Sequence, residues 1–390
     1  MPRTGFVPHL AVSGRHPLPA QAPRPIEPPA RSAFEPVSMI LHRWLPSLAA
    51  VRPEGPHRRL LVALVCDDLT RSCLQWECRT IDLTPANFEG VLARQRPDLL
   101  FVESAWQGHG NAWKYGVAAY PDHPERNNDA LARLFAHARD LAIPSVFWNK
   151  EDGVHFERFI DSARLADVIL TVDESCVPRY RAVVGPQVKV GTLPFAVQPR
   201  MHAFDGIDER RRGACFVGSY GSHIHDARRA RTDMLLRSAA PTLGLSVYDR
   251  NSDRAGLHYR YPPLAGMKVL PKVAHRRTAA IYKSHLVSLN VNTIEDSPTM
   301  FSRRLVEILA CGGLAVSTPA LSIERWFADY CHVIDSEAQA RALFERLARD
   351  GYSKSDRDMM AAGAEHVLAH HTYARRIESI LDVLGRPAGR

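Results

Sequence analysis

The segment Glu295–Pro319, EDSPTMFSRRLVEILACGGLAVSTP, holds the densest set of groups able to do chemistry. Ser297 is placed to cap a helix and Pro298 to fill its first turn. Free backbone N–H groups and the positive end of the helix dipole would then meet an anion. Arg303 and Arg304 add charge of the kind that grips a diphosphate in two-pronged fashion. Thr299 offers a hydroxyl to a phosphate or sugar. Glu307, one turn below the arginines, offers carboxylate oxygens to ribose hydroxyls. Gly312 and Gly313 end the helix and turn the chain into the next strand. The same spacing also suits a plain capped helix with an Arg303–Glu307 surface pair and no ligand.

A second segment, FVGS at Phe216–Ser219, reads as a strand end followed by a turn of small residues. Gly218 and Ser219 would let a diphosphate approach the backbone, and Arg228 and Arg231 follow on the next helix. In the N-terminal half, Asp67 and Asp68 follow the first strand, Glu103 ends a later one, and Glu151, Asp152 and His155 follow another. A carboxylate or imidazole at a strand end can take the proton of a substrate hydroxyl. Asp68, Glu103, Glu151 and His155 are therefore the catalytic candidates, although each suits a helix cap or structural pair as well. The GHGNAW run at 108–113 reads as a glycine loop able to close over a ligand, with Trp106 and Trp113 offering ring faces for stacking. His223, His225 and Asp226 lack an evident third metal ligand, and no metal or cofactor is expected.

These positions need a scaffold that gathers strand ends. Leu60–Cys66, Asp98–Glu103, Ser145–Trp148 and Asp167–Val172 are apolar runs separated by helical stretches at 86–95, 128–141 and 155–165. The pattern restarts with strands at 214–217, 245–248, 286–291, 314–317 and 331–334, and with a helix predicted over Pro298–Cys311. Near-continuous apolar strands alternating with helices predict parallel sheets covered on both faces. The expected fold is α/β, with two doubly wound Rossmann-like domains facing a central cleft. The expected domains are 51–196 and 197–384, joined near Pro194–Asp208. Ligands bind at the carboxyl ends of such sheets. Residues 1–50, rich in proline, are expected to be a disordered tail, with Met39–Ala50 at most a short arm.

The chain has 390 residues, 45% hydrophobic and 24% charged, which excludes a collagen-like fibre or a wholly disordered chain. No apolar run is long enough for a membrane-spanning helix, and no secretory signal is read. Seven cysteines without a CxxC pair fit reduced thiols in a cytoplasmic protein. The net charge of +8 is uneven, with residues 51–196 at net −2 (17 basic, 19 acidic) and the rest of the chain beyond them at net +7. A basic half can hold phosphates and permits peripheral membrane contact. No RNP-like, zinc or helix-turn-helix signature points to nucleic acid.

Together, VESAWQG at 102–108, FWNKEDGVHFERF at 147–159, FVGS at 216–219, SRRLVEILACGG at 302–313 and AGAEHVLAHHTYARR at 362–376 resemble the CgeB-like (spore-maturation-protein-like) glycosyltransferases of the GT-B superfamily. The resemblance spans about 58–384. It implies a nucleotide-sugar site around Glu307, a metal-independent transfer, and C-terminal helices that cross back to the first domain. It assigns Gly218, Ser219, Thr299, Arg303, Arg304, Glu307 and Gly312 to the donor. One departure stands out: retaining enzymes of this type often carry a Glu eight positions before the ribose-binding one, and here that position is Thr299. The expected activity is transfer of a sugar from a nucleotide diphosphate to a glycan, lipid, protein or small-molecule acceptor. A nucleotide-sugar epimerase and a non-catalytic nucleotide-binding scaffold are the alternatives.

Overall fold

A computed structural model describes residues 51–386. The expected tail, 1–50, and Met39–Ala50 within it lie outside the described residues. The first sheet is built from β1 (Leu61–Val65), β2 (Arg79–Asp82), β3 (Leu99–Glu103), β4 (Ser145–Asn149), β5 (Val168–Thr171) and β6 (Lys189–Thr192), in the order β2-β1-β3-β4-β5-β6. The second is built from β7 (Ala214–Gly218), β8 (Leu245–Asp249), β9 (Met267–Leu270), β10 (Val287–Asn290), β11 (Ala315–Ser317) and β12 (His332–Val333), in the order β12-β11-β10-β7-β8-β9. Every pairing within both sheets is parallel.

The strands read from sequence are the central ones. LVALV, LLFVE and SVFWN are buried along their whole length, as a sheet covered on both faces requires. The three strands that sequence reading passed over, β2, β6 and β9, lie away from the sheet centres and are partly exposed. RTID, KVGT and MKVL therefore have no continuous apolar run to announce them.

Strand order reverses between β1 and β3 in the first sheet and between β7 and β10 in the second. The crevices that such reversals open are the natural ligand sites of doubly wound folds. They place Asp67 and Glu103 on one side, and Gly218 with the loop after β10 on the other.

The expected return of the C-terminal helices is present. α12 (Tyr373–Leu384), capped by Thr372 and stopped by Gly385, lays Ile377, Ile380 and Leu381 into a core shared with Val62, Leu64 and Trp148 of the first sheet. Arg376 Nε donates to the Pro194 carbonyl at 2.7 Å and its Nη2 to that of Phe195 at 3.0 Å. Lys189 Nζ donates to the Val383 carbonyl at 2.7 Å. His371 accepts from Arg376 at 3.0 Å, and Val197 pairs with Thr372.

One helix begins later than expected. α8 runs over Arg303–Ala310 with Ser302 as its N-cap residue, so Ser297 and Pro298 are not its start. Residues 297–299 instead dock on the end of β5. The Ser297 hydroxyl donates to Asp173 at 2.6 Å, and the Thr299 hydroxyl donates to the Val172 carbonyl at 2.9 Å while accepting from the Glu174 N–H at 2.8 Å. The Ser297 hydroxyl also accepts the Met300 N–H at 2.9 Å, and the chain bends at 298–299 without continuing into a helix. All seven cysteines are buried free thiols.

Candidate active site

The carboxyl end of the first sheet is a closed charge network. The Asp67 N–H donates to Glu103 Oε1 at 2.6 Å. The Asp67 carboxylate accepts the N–H groups of Gln107 and Gly108, at 3.2 and 2.8 Å. Lys150, following β4, reaches Asp67 at 3.1 Å, Glu151 at 3.5 Å and Glu103 at 3.7 Å. Glu103 is fully buried, and burial pushes its carboxyl up, against the pull of Lys150. Burial would push the Lys150 ammonium down, but Glu103, Glu151 and Asp67 outweigh it and hold the group protonated.

This arrangement corrects part of the catalytic set. Glu103 is sealed beneath Lys150, so it anchors the network and does not meet an acceptor. Asp68 is exposed and pairs with His109 at the rim. The glycine loop is pinned by Asp67 at Gln107 and Gly108. Trp113 is core, its Nε1 donating to the Leu83 carbonyl at 2.7 Å. Glu151 and His155 stay half-buried at the cleft. His155 stands edge-on to Trp106 at 5.2 Å. Burial lowers its pKa, with Glu151 opposing and the charge of His225 on the other half adding to the effect. Its imidazole is therefore neutral near pH 7 and able to accept a proton.

The carboxyl end of the second sheet is different in kind. Arg304 Nε donates to the Val217 carbonyl at 2.6 Å and its guanidinium lies over Phe216, 4.5 Å from the ring centre. A Cβ at Gly218 would stand 3.1 Å from Arg304 Nη2. Arg228 reaches the Ser219 carbonyl at 3.4 Å, and the Arg250 N–H donates to the Gly218 carbonyl at 2.9 Å. Among the described residues, none of Arg228, Arg250 and Arg304 forms an ion pair. Burial, with the charges of Arg228 and Arg250 adding to it, lowers the Arg304 pKa to about 10, and burial and Arg250 lower that of Arg228. Mutual repulsion among cations that lack a carboxylate marks a place prepared for an anion.

The two adjacent arginines of α8 part company. Arg303 lies against Phe195, 4.8 Å from its ring centre, with the charges of Glu307 and Glu103 in range and its Nε buried without a partner. Glu307 is buried. Its Oε1 accepts from His275 Nε2 at 2.8 Å and its Oε2 from the Tyr282 hydroxyl at 3.4 Å. Burial would raise the Glu307 carboxyl, but the hydrogen bond from His275, with the surrounding charges of His202 and Arg303, outweighs it and holds the group below the usual carboxylate range.

Gly312 lies just past the C-terminal end of α8. It has φ +59 and no room for a Cβ, which would run into the Phe204 ring, and its carbonyl accepts from Arg211 at 2.8 Å. Thr299 is held in the seam between the halves. The structure therefore gathers Gly218, Ser219 and Arg304 at one place, sets Glu307 and Arg303 behind them, and moves Thr299 and Gly312 away. Sequence reading missed Arg250 and His275. Arg250 follows β8 and was findable by the strand-end rule that picked Gly218. His275 lies in a short turn 32 residues from Glu307, with no local signal.

Residues 229–382 match a protein-family model described as glycosyl transferase-like. No curated protein matches the chain. An alpha-glucosyltransferase solved with UDP-glucose and DNA containing an abasic site is similar in fold, with a TM-score of 0.57, 10% identity, and coverage of 84% of this chain and 98% of that one. So is HepE from Anabaena, solved with UDP and glucose, with a TM-score of 0.51, 12% identity, and coverage of 83% and 91%. The fold is that of the GT-B glycosyltransferases. The segment matched by the family model, 229–382, lies in the half of the chain that carries the second sheet.

Proposed function

We propose that this protein transfers a sugar from a nucleotide diphosphate to an acceptor hydroxyl, without a metal ion, as a CgeB-like member of the GT-B superfamily. The observation that carries the reading is the unpaired cluster of Arg228, Arg250 and Arg304 around the turn at Gly218–Ser219, with Glu307 nearby. In the transfer the acceptor oxygen bonds to the anomeric carbon as the bond from that carbon to the diphosphate oxygen breaks. The electron pair leaves on the diphosphate, where the three guanidinium groups and the turn's backbone stabilise the growing charge. Glu307 holds the ribose. His155, neutral and facing the cleft, takes the acceptor's proton. Glycan, lipid, protein and small-molecule acceptors all remain compatible with the cleft.

The decisive experiment is a thermal-shift panel of UDP-, GDP-, ADP- and dTDP-sugars on the wild type and Glu307→Ala, since a ligand that binds only the folded state raises the melting temperature. UDP-sugars come first because both solved proteins above carry UDP. One donor class should shift the wild type, with Glu307→Ala binding it about 1–3 kcal/mol more weakly. A folded Glu307→Ala with undiminished donor affinity sinks the assignment. His155→Ala should lower kcat by about 10²–10⁴ with donor affinity unchanged. An unaltered kcat would remove His155 from proton transfer and leave the departing phosphate as acceptor.

A non-catalytic nucleotide-binding scaffold is the second reading. Thr299 favours it, because no carboxylate stands at that position and the hydroxyl there is already engaged by Val172 and Glu174. Donor binding without turnover would identify it.

A further inference from the structure

We propose that Arg303 receives an anionic group, a carboxylate or phosphate monoester, carried by one of the sugar substrates and distinct from the diphosphate of the donor. That the anion belongs to a substrate rests on the transferase reading above; the anion site itself can be tested without a nucleotide.

Neighbouring residues on a helix leave it about 100° apart. The first two residues of α8 accordingly enter different surroundings. Arg304 turns to Phe216 and the Val217 carbonyl of the second sheet. Arg303 turns to Phe195, in the stretch that joins the two halves, with its guanidinium 4.8 Å from the ring centre. Burial aside, the groups that act most on Arg303 are Tyr373, Glu307, Cys73 and Glu103, and those that act most on Arg304 are Tyr282, Arg228, Tyr261 and Arg250. None is shared. A diphosphate gathered at Gly218–Ser219 by Arg228, Arg250 and Arg304 therefore leaves Arg303 for a different group. The charge of Arg303 is also felt by Lys150, at the carboxyl end of the first sheet.

The Arg303 side chain is oriented but unengaged. Its Nε is buried without a partner, and among the described residues its side chain forms no hydrogen bond and no ion pair. The residue is half-buried, and its two outer nitrogens are not sealed in. Other inward-facing arginines are committed to the protein. Arg211 donates to the carbonyls of Gly312 and Gly206 at 2.8 and 3.4 Å, and Arg376 to those of Pro194 and Phe195. The carboxylates that act on Arg303 look elsewhere: Glu307 accepts from His275 and Tyr282, and Glu103 faces Lys150. A guanidinium stays charged and carries five N–H donors. Leaving them unfilled away from water is costly, and an anion would fill them. Phe195 is itself held edge-on by Trp148 at 5.9 Å and by Phe301 at 6.4 Å. The guanidinium stacked on it thus presents a fixed plane, and such a fork matches the paired oxygens of a carboxylate or phosphate.

The test compares acidic with neutral sugars by calorimetry on the full chain, wild type against Arg303→Gln. UDP-glucuronate is set against UDP-glucose, and glucuronate and glucose 6-phosphate against glucose. The wild type should hold the acidic member of at least one set about tenfold or more tightly, the worth of hydrogen bonds to a charged group. Arg303→Gln should lose that preference and hold the neutral member as before. Arg303→Lys keeps the charge without the fork, should show a smaller preference, and serves if Arg303→Gln does not fold. A preference within the UDP-sugars upholds the site and places the anion on the donor; a preference among the free sugars alone upholds it and places the anion on the acceptor. A wild type that does not discriminate in either set overturns the proposal, as does a preference that survives Arg303→Gln. Equal weakening of UDP and UDP-glucuronate in Arg303→Gln also overturns it and returns Arg303 to the diphosphate. Failure of the transferase reading has a different signature: no UDP-sugar binds, yet the acidic free sugars still outrank glucose, which upholds the anion site and removes the nucleotide.

Discussion

The carboxyl ends of the two sheets are topological counterparts with opposite electrostatic designs. At the first, the carboxylates of Asp67, Glu103 and Glu151 close on Lys150, whose charge they share. At the second, Arg228, Arg250 and Arg304 crowd together with no ion pair among the described residues, a surplus of charge that an arriving anion would relieve. Acids and arginines at strand ends looked alike as candidates in the sequence. What separates them is whether an opposite charge lies within reach in the fold.

The largest effect should come from breaking the closed network. Lys150→Ala leaves Glu103 and its neighbours uncompensated and should destabilise the protein by about 3–5 kcal/mol, read from urea unfolding. Donor affinity of the folded fraction should be little changed. A stable Lys150→Ala protein that has lost donor binding would mean that the first sheet end, too, is a ligand site.

The next effect concerns Asp152, buried behind the same network and bonded to Asn149 at 2.7 Å and Tyr180 at 2.8 Å. Burial, with Asp173 adding to it, raises its pKa to about 7, well above the ordinary carboxylate range, against the hydrogen bonds of Thr171 and Tyr180. The folded state keeps this proton after the unfolded chain has released it. The stabilisation is therefore complete below about pH 4 and lost as pH rises through 7, amounting to a few kcal/mol. Asp152→Asn should flatten that slope between pH 4 and 7. An unchanged slope would assign the pH dependence elsewhere.

The smaller effect sharpens the open cluster. Arg304→Ala should weaken nucleotide-diphosphate binding by about 1.5–3 kcal/mol, the worth of hydrogen bonds to a charged group, while barely touching a free nucleoside. The pair of affinities can be measured by calorimetry. Equal losses for both ligands would make Arg304 a structural support for β7, through Val217 and Phe216.

Much of the scaffold was legible because its central strands are buried on both faces, and runs such as LVALV have no other use. The same logic hid RTID and MKVL, which are partly exposed and chemically mixed. Sequence spacing foresaw the place of Gly218 and Ser219, at the end of a strand. It failed for Thr299 and Gly312, because helix spacing cannot reveal that Asp173, Val172 and Phe204 lie opposite them. The start of α8 was misplaced for the same reason, since Ser297 bonds to a residue 124 positions away. His275 was invisible until folding carried its turn to Glu307.

The strap formed by α12 sets an order of events during synthesis. The apolar face carrying Val62, Leu64 and Trp148 is roofed by Ile377, Ile380 and Leu381. A ribosome makes the floor of that core early and its roof some three hundred residues later. The half of the protein that begins to fold first is thus among the last to be sealed, and until residue 384 has emerged its greasy underside needs shelter from other chains.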